Sequence, residues 1–276
     1  MTTISKQTVL DLAPILMFHP QEVYMPMDPL KFIKKSRFRR HLVSIRDQGY
    51  HKVQKKWKTS NSQHSNYYDI PVEFINGKNF RLDGNGKNRR PKDPDSSDKW
   101  QVFLQPKDKP KGAAQPTGVV PAFYYVRKSG LEPNSREVDL IQYWWFIGYN
   151  DGFLSQNHQG DWEHASAVLL NGTFIGAFMS AHGKSKFCPQ KDLDFVQSHF
   201  IAYCAKGSHA SYPKTGTFHF GTDVTAKNGV EWQTNKNLKP LESQPWKEYA
   251  GAWGEVGQIK DTTGPLGPWY KRWSDN

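Results

Sequence analysis

Apolar positions in this chain fall in short runs, and few of the runs have a helical period. Residues 119–127, 138–149, 161–170, 173–181 and 195–205 are rich in aromatic and aliphatic side chains and follow one another at hairpin-like spacings. Such runs predict strands. Asn171-Gly172, between two of them, is the dipeptide a tight hairpin turn prefers. With so little helix between the strands, the pattern predicts a mainly β protein, an antiparallel β-sandwich. Near the start, Val9, Leu10, Leu12 and Ile15 have helical spacing but Pro14 interrupts them. A short N-terminal helix running into an extended segment is expected there.

The middle of the chain reads differently. Residues 31–118 are polar, with short strand candidates at 67–75 and 100–104. KNRRPKDPDSSDK (87–99) and QPKDKPKGAAQPTG (105–118) have the composition of surface loops. This stretch reads as a basic, loop-rich insertion within a single domain of 276 residues, and residues 119–276 as the sandwich body. The C-terminal part carries Trp232, Trp246, Trp253, Trp269 and Trp273, which predict an irregular segment anchored over the sandwich by indoles.

Composition sharpens this picture in three ways. Only 37% of residues are hydrophobic, but 14% are aromatic and ten are Trp, so large rings must supply much of the buried area. Residues 31–58 hold eleven Lys or Arg against one acid, Asp47, and thus nearly all of the +11 net charge. A basic arm interleaved with aromatics suits an anionic membrane surface, and nucleic acid is a second partner for residues 31–58. Cys188 and Cys204 make no disulfide framework, and whether they pair stays open; neither reads as a nucleophile. No apolar run reaches the length of a membrane span, and the N-terminus has no secretion-signal pattern. The expectation is a soluble protein, cytoplasmic or exported by a leaderless route.

The chemistry concentrates in DGFLSQNHQGDWEH (151–164), between two strand candidates. Burying two imidazoles and three carboxylates together costs several kcal/mol unless a cation or a dense hydrogen-bond network satisfies them. If a strand begins at Asp161, its period of two places Asp161 and Glu163 on one face, about 7 Å apart, and Trp162 and His164 on the other. With His158 reaching in from the loop, the oxygen-rich set suits Mg, Ca or Mn better than structural zinc. Two further clusters, Ser180-Ala181-His182-Gly183-Lys184 and Lys206-Gly207-Ser208-His209, place a His beside small residues at strand ends. His19 and Glu22 read as ordinary surface residues.

Several motifs in order carry a resemblance. LAPILMFHPQE near the start, GDWEH (160–164), KGSHASYP (206–213) and the terminal GPLGP together resemble the Vps62-type family, over about residues 12–28 and 138–276. The shorter HQGDWEH, followed by SAHG (180–183), is similar to the NPP1-like necrosis-inducing toxins. That second resemblance implies a β-sandwich holding a divalent cation through His158, Asp161 and Glu163, with Asp151 as a fourth ligand, and damage to plasma membranes. The heptapeptide departs from the toxin pattern at Gln159-Gly160.

Three functions follow as expectations. The first is a divalent-cation-dependent, membrane-acting, toxin-like protein that binds an anionic lipid or glycolipid headgroup. The second is a metal-dependent phosphodiester hydrolase, with Glu163 or His164 activating water, His182 or His209 protonating the leaving group, and Lys184 or Lys206 steadying charge. The third is a non-catalytic headgroup-binding trafficking module.

Overall fold

A computed structural model describes residues 4–42, 67–69, 100–131, 137–152, 157–249, 251–255 and 264–271. The runs that alternate most regularly form its centre. Strands β5 (Ala122–Leu131), β6 (Glu137–Asn150), β7 (His158–Leu170), β8 (Thr173–Ala181) and β9 (Lys184–Pro189) pair antiparallel in chain order. Asn171 and Gly172 both have positive φ, 52° and 81°, which gives the β7–β8 turn the twist a two-residue hairpin needs.

A second sheet lies over one face of the first. Its core is β11 (His199–Cys204) beside β1 (Ile15–Phe18) beside β15 (Glu231–Gln233), with β10 (Phe195–Val196) and β12 (Ser211–Tyr212) on β11. Leu16, Phe18, Phe200, Ala202, Cys204 and Trp232 from this sheet meet Tyr143, Trp145, Ile147, Ala165, Ala167 and Ala177 from the first. The three alanines sit where two sheets must approach closely, opposite the large rings of β6. The mainly β sandwich expected from the pattern is therefore present.

One feature departs from the antiparallel expectation. β1 pairs with β11 in parallel, and β16 (Leu238–Pro240) joins β5 in parallel. Hairpin spacing reports only strands that are neighbours in the chain, whereas β1 reaches β11 across about 180 residues and slots between it and β15. The N-terminal helix α1 (Lys6–Asp11) precedes β1 as expected, capped by Ser5, whose Oγ accepts the Thr8 N–H at 3.0 Å.

The other face of the large sheet is covered by aromatics. Phe123, Trp144, Phe146 and Trp162 pack with Trp246, Tyr249 and Trp253 from the C-terminal segment, as the indole-anchored wrap predicts. Phe32, Phe38 and Leu104 complete this second core. They come from α2 (Pro29–Lys35), β2 (Ser36–Leu42) and β4 (Trp100–Pro106), all within or bordering the stretch read as an insertion. β4 pairs with β2 along its whole length, and β3 (Tyr67–Asp69) pairs with the other side of β2. The root of the basic stretch is thus part of the body. Residues 43–58 and 87–99 lie outside the described residues, as does Trp273.

Cys188 and Cys204 are both buried and unpaired. Burial raises the Cys188 thiol to about 11 and holds Cys204 well above its ordinary range, so neither is poised as a nucleophile.

Candidate functional site

The site lies at the end of the sandwich where β7 begins, beside the loops that follow β1, β8 and β11. β7 starts at His158, not at Asp161. As the two-residue period requires, Asp161 and Glu163 share a face with Ala165 and Ala167 toward the second sheet. His164 takes the other face, buried and stacked on Trp144 at 4.1 Å between ring centroids. It belongs with the aromatic core and is not gathered with the polar residues.

The centre of the site is His209, fully buried. Its Nδ1–H donates to Asp161 Oδ2 at 2.9 Å, and its Nε2 lies 3.5 Å from Glu22 Oε1, an ion-pair distance without a hydrogen bond. Glu22 accepts backbone N–H groups from Val23 and Tyr24, both at 2.8 Å, and from Gly207 at 2.6 Å. Burial alone would hold the His209 pKa down, but Asp161 and Glu22 outweigh it and raise it to about 10. Glu22 is pushed up by burial and pulled down further by His209 and the backbone donors, to about 2. An imidazolium clamped between two carboxylates is the stable arrangement.

Gly207 makes this possible. It has φ +76°, and a Cβ there would lie 2.4 Å from the Asp151 carbonyl oxygen, which its own turn packs against. The carbonyl of Gly207 takes the Asp151 N–H at 3.0 Å while its N–H reaches Glu22. The glycine thus joins three segments that are far apart in sequence.

A second network adjoins the first. Asp223, on β14 (Asp223–Thr225), accepts Ser208 Oγ–H at 2.8 Å, Tyr212 O–H at 2.6 Å and His182 Nε2–H at 2.7 Å. Burial raises the Asp223 carboxyl, but these three donors prevail and its net shift is downward. His182 is partly exposed, and its ring stacks on that of His219 at 3.8 Å. The strand β13 (Gly216–Phe218) and the turn after it bring His219 and Phe220 to this edge. His182, His209, His219 and Phe220 all have φ between 47° and 56°, a left-handed conformation that costs a non-glycine residue about 1–2 kcal/mol.

Glu163 lies between the two networks and makes no hydrogen bond among the described residues. Burial first, then the charge of Asp161, pushes its pKa well above the usual carboxylate range.

The four residues expected to hold a metal do not come together. Asp161 is committed to His209. His158 lies three residues earlier in the same strand, out of phase with Asp161, and its Nδ1–H donates to the Gly160 carbonyl at 2.7 Å. Asp151 is exposed, and its backbone packs on the Gly207 turn. Among the described residues, no three His, Cys, Asp or Glu side chains are grouped to hold an ion. With Asp161 bonded to His209 and His158 to the Gly160 carbonyl, the four side chains do not converge on one point as arranged. Lys206 is exposed and donates to Gln21 Oε1 at 3.2 Å.

Glu22 and Asp223 are the two carboxylates of this cluster that motif spacing does not single out. A faint signal for Glu22 existed, since it closes the LAPILMFHPQE motif. Asp223 sits in a polar hairpin with no distinguishing pattern.

The model of the family "vacuolar protein sorting-associated protein 62", Vps62, matches residues 154–250, which contain Asp161, Glu163, His182, His209 and Asp223. The likeness is to the Vps62 family. Vacuolar protein sorting-associated protein 62 of Saccharomyces cerevisiae is 23% identical over 96% of this chain, and so through the middle stretch that the motifs left unmatched. This chain spans 65% of that Vps62 protein's length. Among solved structures, the chain is similar to necrosis and ethylene inducing protein 2 from the causal agent of cocoa's witches' broom disease. The identity is 16%, covering 96% of this chain and 87% of that one, with a TM-score of 0.38. It is also similar to the non-toxic HaNLP3 protein, at 14% identity over 89% of this chain and 79% of that one, TM-score 0.36. A third is NLPPya in complex with glucosamine, at 17% identity over 45% and 55%, TM-score 0.30.

Proposed function

We propose that this chain binds the hydroxyl-rich ring of a sugar or inositol headgroup at the edge formed by His182, His219 and Phe220. The observation that carries the reading is the bond between His182 and Asp223. Asp223 is ionised and takes the Nε2–H of His182, so a neutral His182 ring carries its lone pair on Nδ1. Nδ1 has no protein partner among the described residues, and the ring is partly open to solvent. An acceptor held in one tautomer suits a ligand hydroxyl donor, and the adjoining faces of His219 and Phe220 suit the C–H face of a pyranose or inositol ring. Positive φ at His182, His219 and Phe220, the three residues of this edge, fits preorganisation for a ligand. This binding needs no metal ion, since Asp161 is paired with His209.

The test is calorimetric titration of the chain with myo-inositol, glucose, glucosamine and glycerol phosphate, repeated with His182→Ala and Asp223→Asn. Saturable binding of a ring polyol that both substitutions weaken at least tenfold supports the reading. Binding of none of the four, or binding indifferent to both substitutions, contradicts it.

A second reading, hydrolysis, is favoured by one observation. Glu163, raised in pKa and without a hydrogen bond, lies near Asp161, which His209 holds as its partner. A buried carboxyl whose pKa is raised beside a second carboxylate is an arrangement that suits a general acid. Release of nitrophenol from nitrophenyl phosphodiesters or glycosides, lost in Glu163→Gln, supports this second reading.

A further inference from the structure

We propose that the ligand of the His182 edge has at least two linked rings, and that its second ring lies on Tyr24 beside Asp151 and Lys109. This deepens the headgroup reading and rests on it, but the observations that carry it belong to a different set of residues. Tyr24 is half-buried, and its ring leans on that of the buried Tyr149, with 4.9 Å between centroids and a tilt of 50°. Exposed Lys109 holds its Nζ 4.4 Å over the Tyr149 ring. Burial raises the Tyr24 phenol, Lys109 draws it down and Asp151 pushes it up, so both charges stand near this ring. Ring faces beside polar groups thus occur twice, here and at His182, His219 and Phe220. A site built twice from the same kinds of group suits a ligand built from more than one ring.

One turn holds the two edges together. The Gly207 carbonyl takes the Asp151 N–H, and the Gly207 N–H reaches Glu22, whose carboxylate also takes the Tyr24 N–H. The next residue, Ser208, bonds Asp223, the partner of His182. Consecutive Cα atoms are about 3.8 Å apart, so the Tyr24 edge and the His182 edge hang from adjoining points of one backbone. The charges beside Tyr24 have both signs, Asp151 against Lys109, with exposed Lys206 on the same turn. A hydroxyl both donates and accepts, so two neighbouring ring hydroxyls can give a proton to the carboxylate and take one from the ammonium. An anionic or cationic group would meet a like charge at either place. The chemistry therefore favours a second neutral polyol ring.

The test is calorimetric titration of the full chain with single rings, myo-inositol, glucose and galactose, and with two-ring compounds made from them, maltose, cellobiose and galactosyl-inositol. At least one two-ring compound is expected to bind about tenfold or more tightly than either of its component rings. Asp151→Ala and Lys109→Met, both at exposed positions, should abolish that gain, leave single-ring affinity as in the wild type and keep the melting temperature. His182→Ala should weaken single-ring and two-ring binding alike. Single-ring binding with no gain for any two-ring compound overturns the second subsite and leaves the headgroup site standing. A gain that survives both Asp151→Ala and Lys109→Met also overturns it. Binding of none of the compounds contradicts the headgroup reading itself, and this inference falls with it.

Discussion

The imidazole of His209 donates from Nδ1 to Asp161 at 2.9 Å, in full burial, at the position where spacing alone expects a metal ion. Asp161 of the GDWEH motif is neutralised from within the chain, by a side chain 48 residues further on. Removing one partner of a buried ion pair leaves the other uncompensated and costs about 3–5 kcal/mol. His209→Ala is therefore expected to lower the unfolding free energy by that amount, and Asp161→Asn by a comparable amount, in urea titrations. A loss below about 1 kcal/mol, typical of an exposed pair, would mean the clamp is not formed.

The same pair sets a pH dependence. His209 is raised from 6.5 to about 10, so its contribution is complete below 6.5 and is lost as pH rises toward 10. Glu22 is lowered from 4.5 to about 2, so its contribution is complete above 4.5 and is lost as pH falls toward 2. Glu163 is raised, which adds a loss that begins above 4.5. Unfolding free energy should peak on the acid side of neutrality. His209→Gln should flatten the alkaline limb between 6.5 and 10; an unchanged limb would assign it to other groups.

Metal removal follows from the same geometry. Chelator should leave the melting temperature of the wild type unchanged, and so should added Mg, Ca or Mn. His209→Ala frees Asp161 and Glu22 around a new space, and that variant is expected to gain stability on adding a divalent cation. A wild type that melts several degrees lower in chelator would restore the metal.

Gly207 gives a test of the scaffold. Alanine there meets the Asp151 carbonyl and a φ of +76°, so Gly207→Ala should destabilise by at least about 1–2 kcal/mol. It should also weaken polyol binding, because Ser208 and His209 follow directly in the turn. Unaltered stability would show that the turn has room to shift.

The sandwich was legible because its strands are long, apolar and joined by short turns, and β8 (Thr173–Ala181) has the predicted bounds. The phase of Asp161 and Glu163 against Trp162 and His164 also followed from the two-residue period. What the period cannot supply is contact between distant segments. Glu22 reads as a surface residue because nothing near it in sequence needs a carboxylate; its partner, His209, is 187 positions away. Asp223 carries no sequence signal for the same reason, since its three donors arrive from the turn after β8, the loop after β11 and β12. Charge arithmetic along one strand shows that Asp161 needs a positive neighbour, but it does not show that His209, 48 residues on, lies within hydrogen-bond reach of it.

The central claim, that Asp223 fixes His182 as an open acceptor for a ring polyol, is tested most directly by nitrogen-15 NMR of the His182 ring. The account predicts the proton on Nε2 and an Nδ1 resonance that moves saturably as myo-inositol or a hexose is added. A proton on Nδ1, or an Nδ1 resonance unmoved by every polyol, would contradict it.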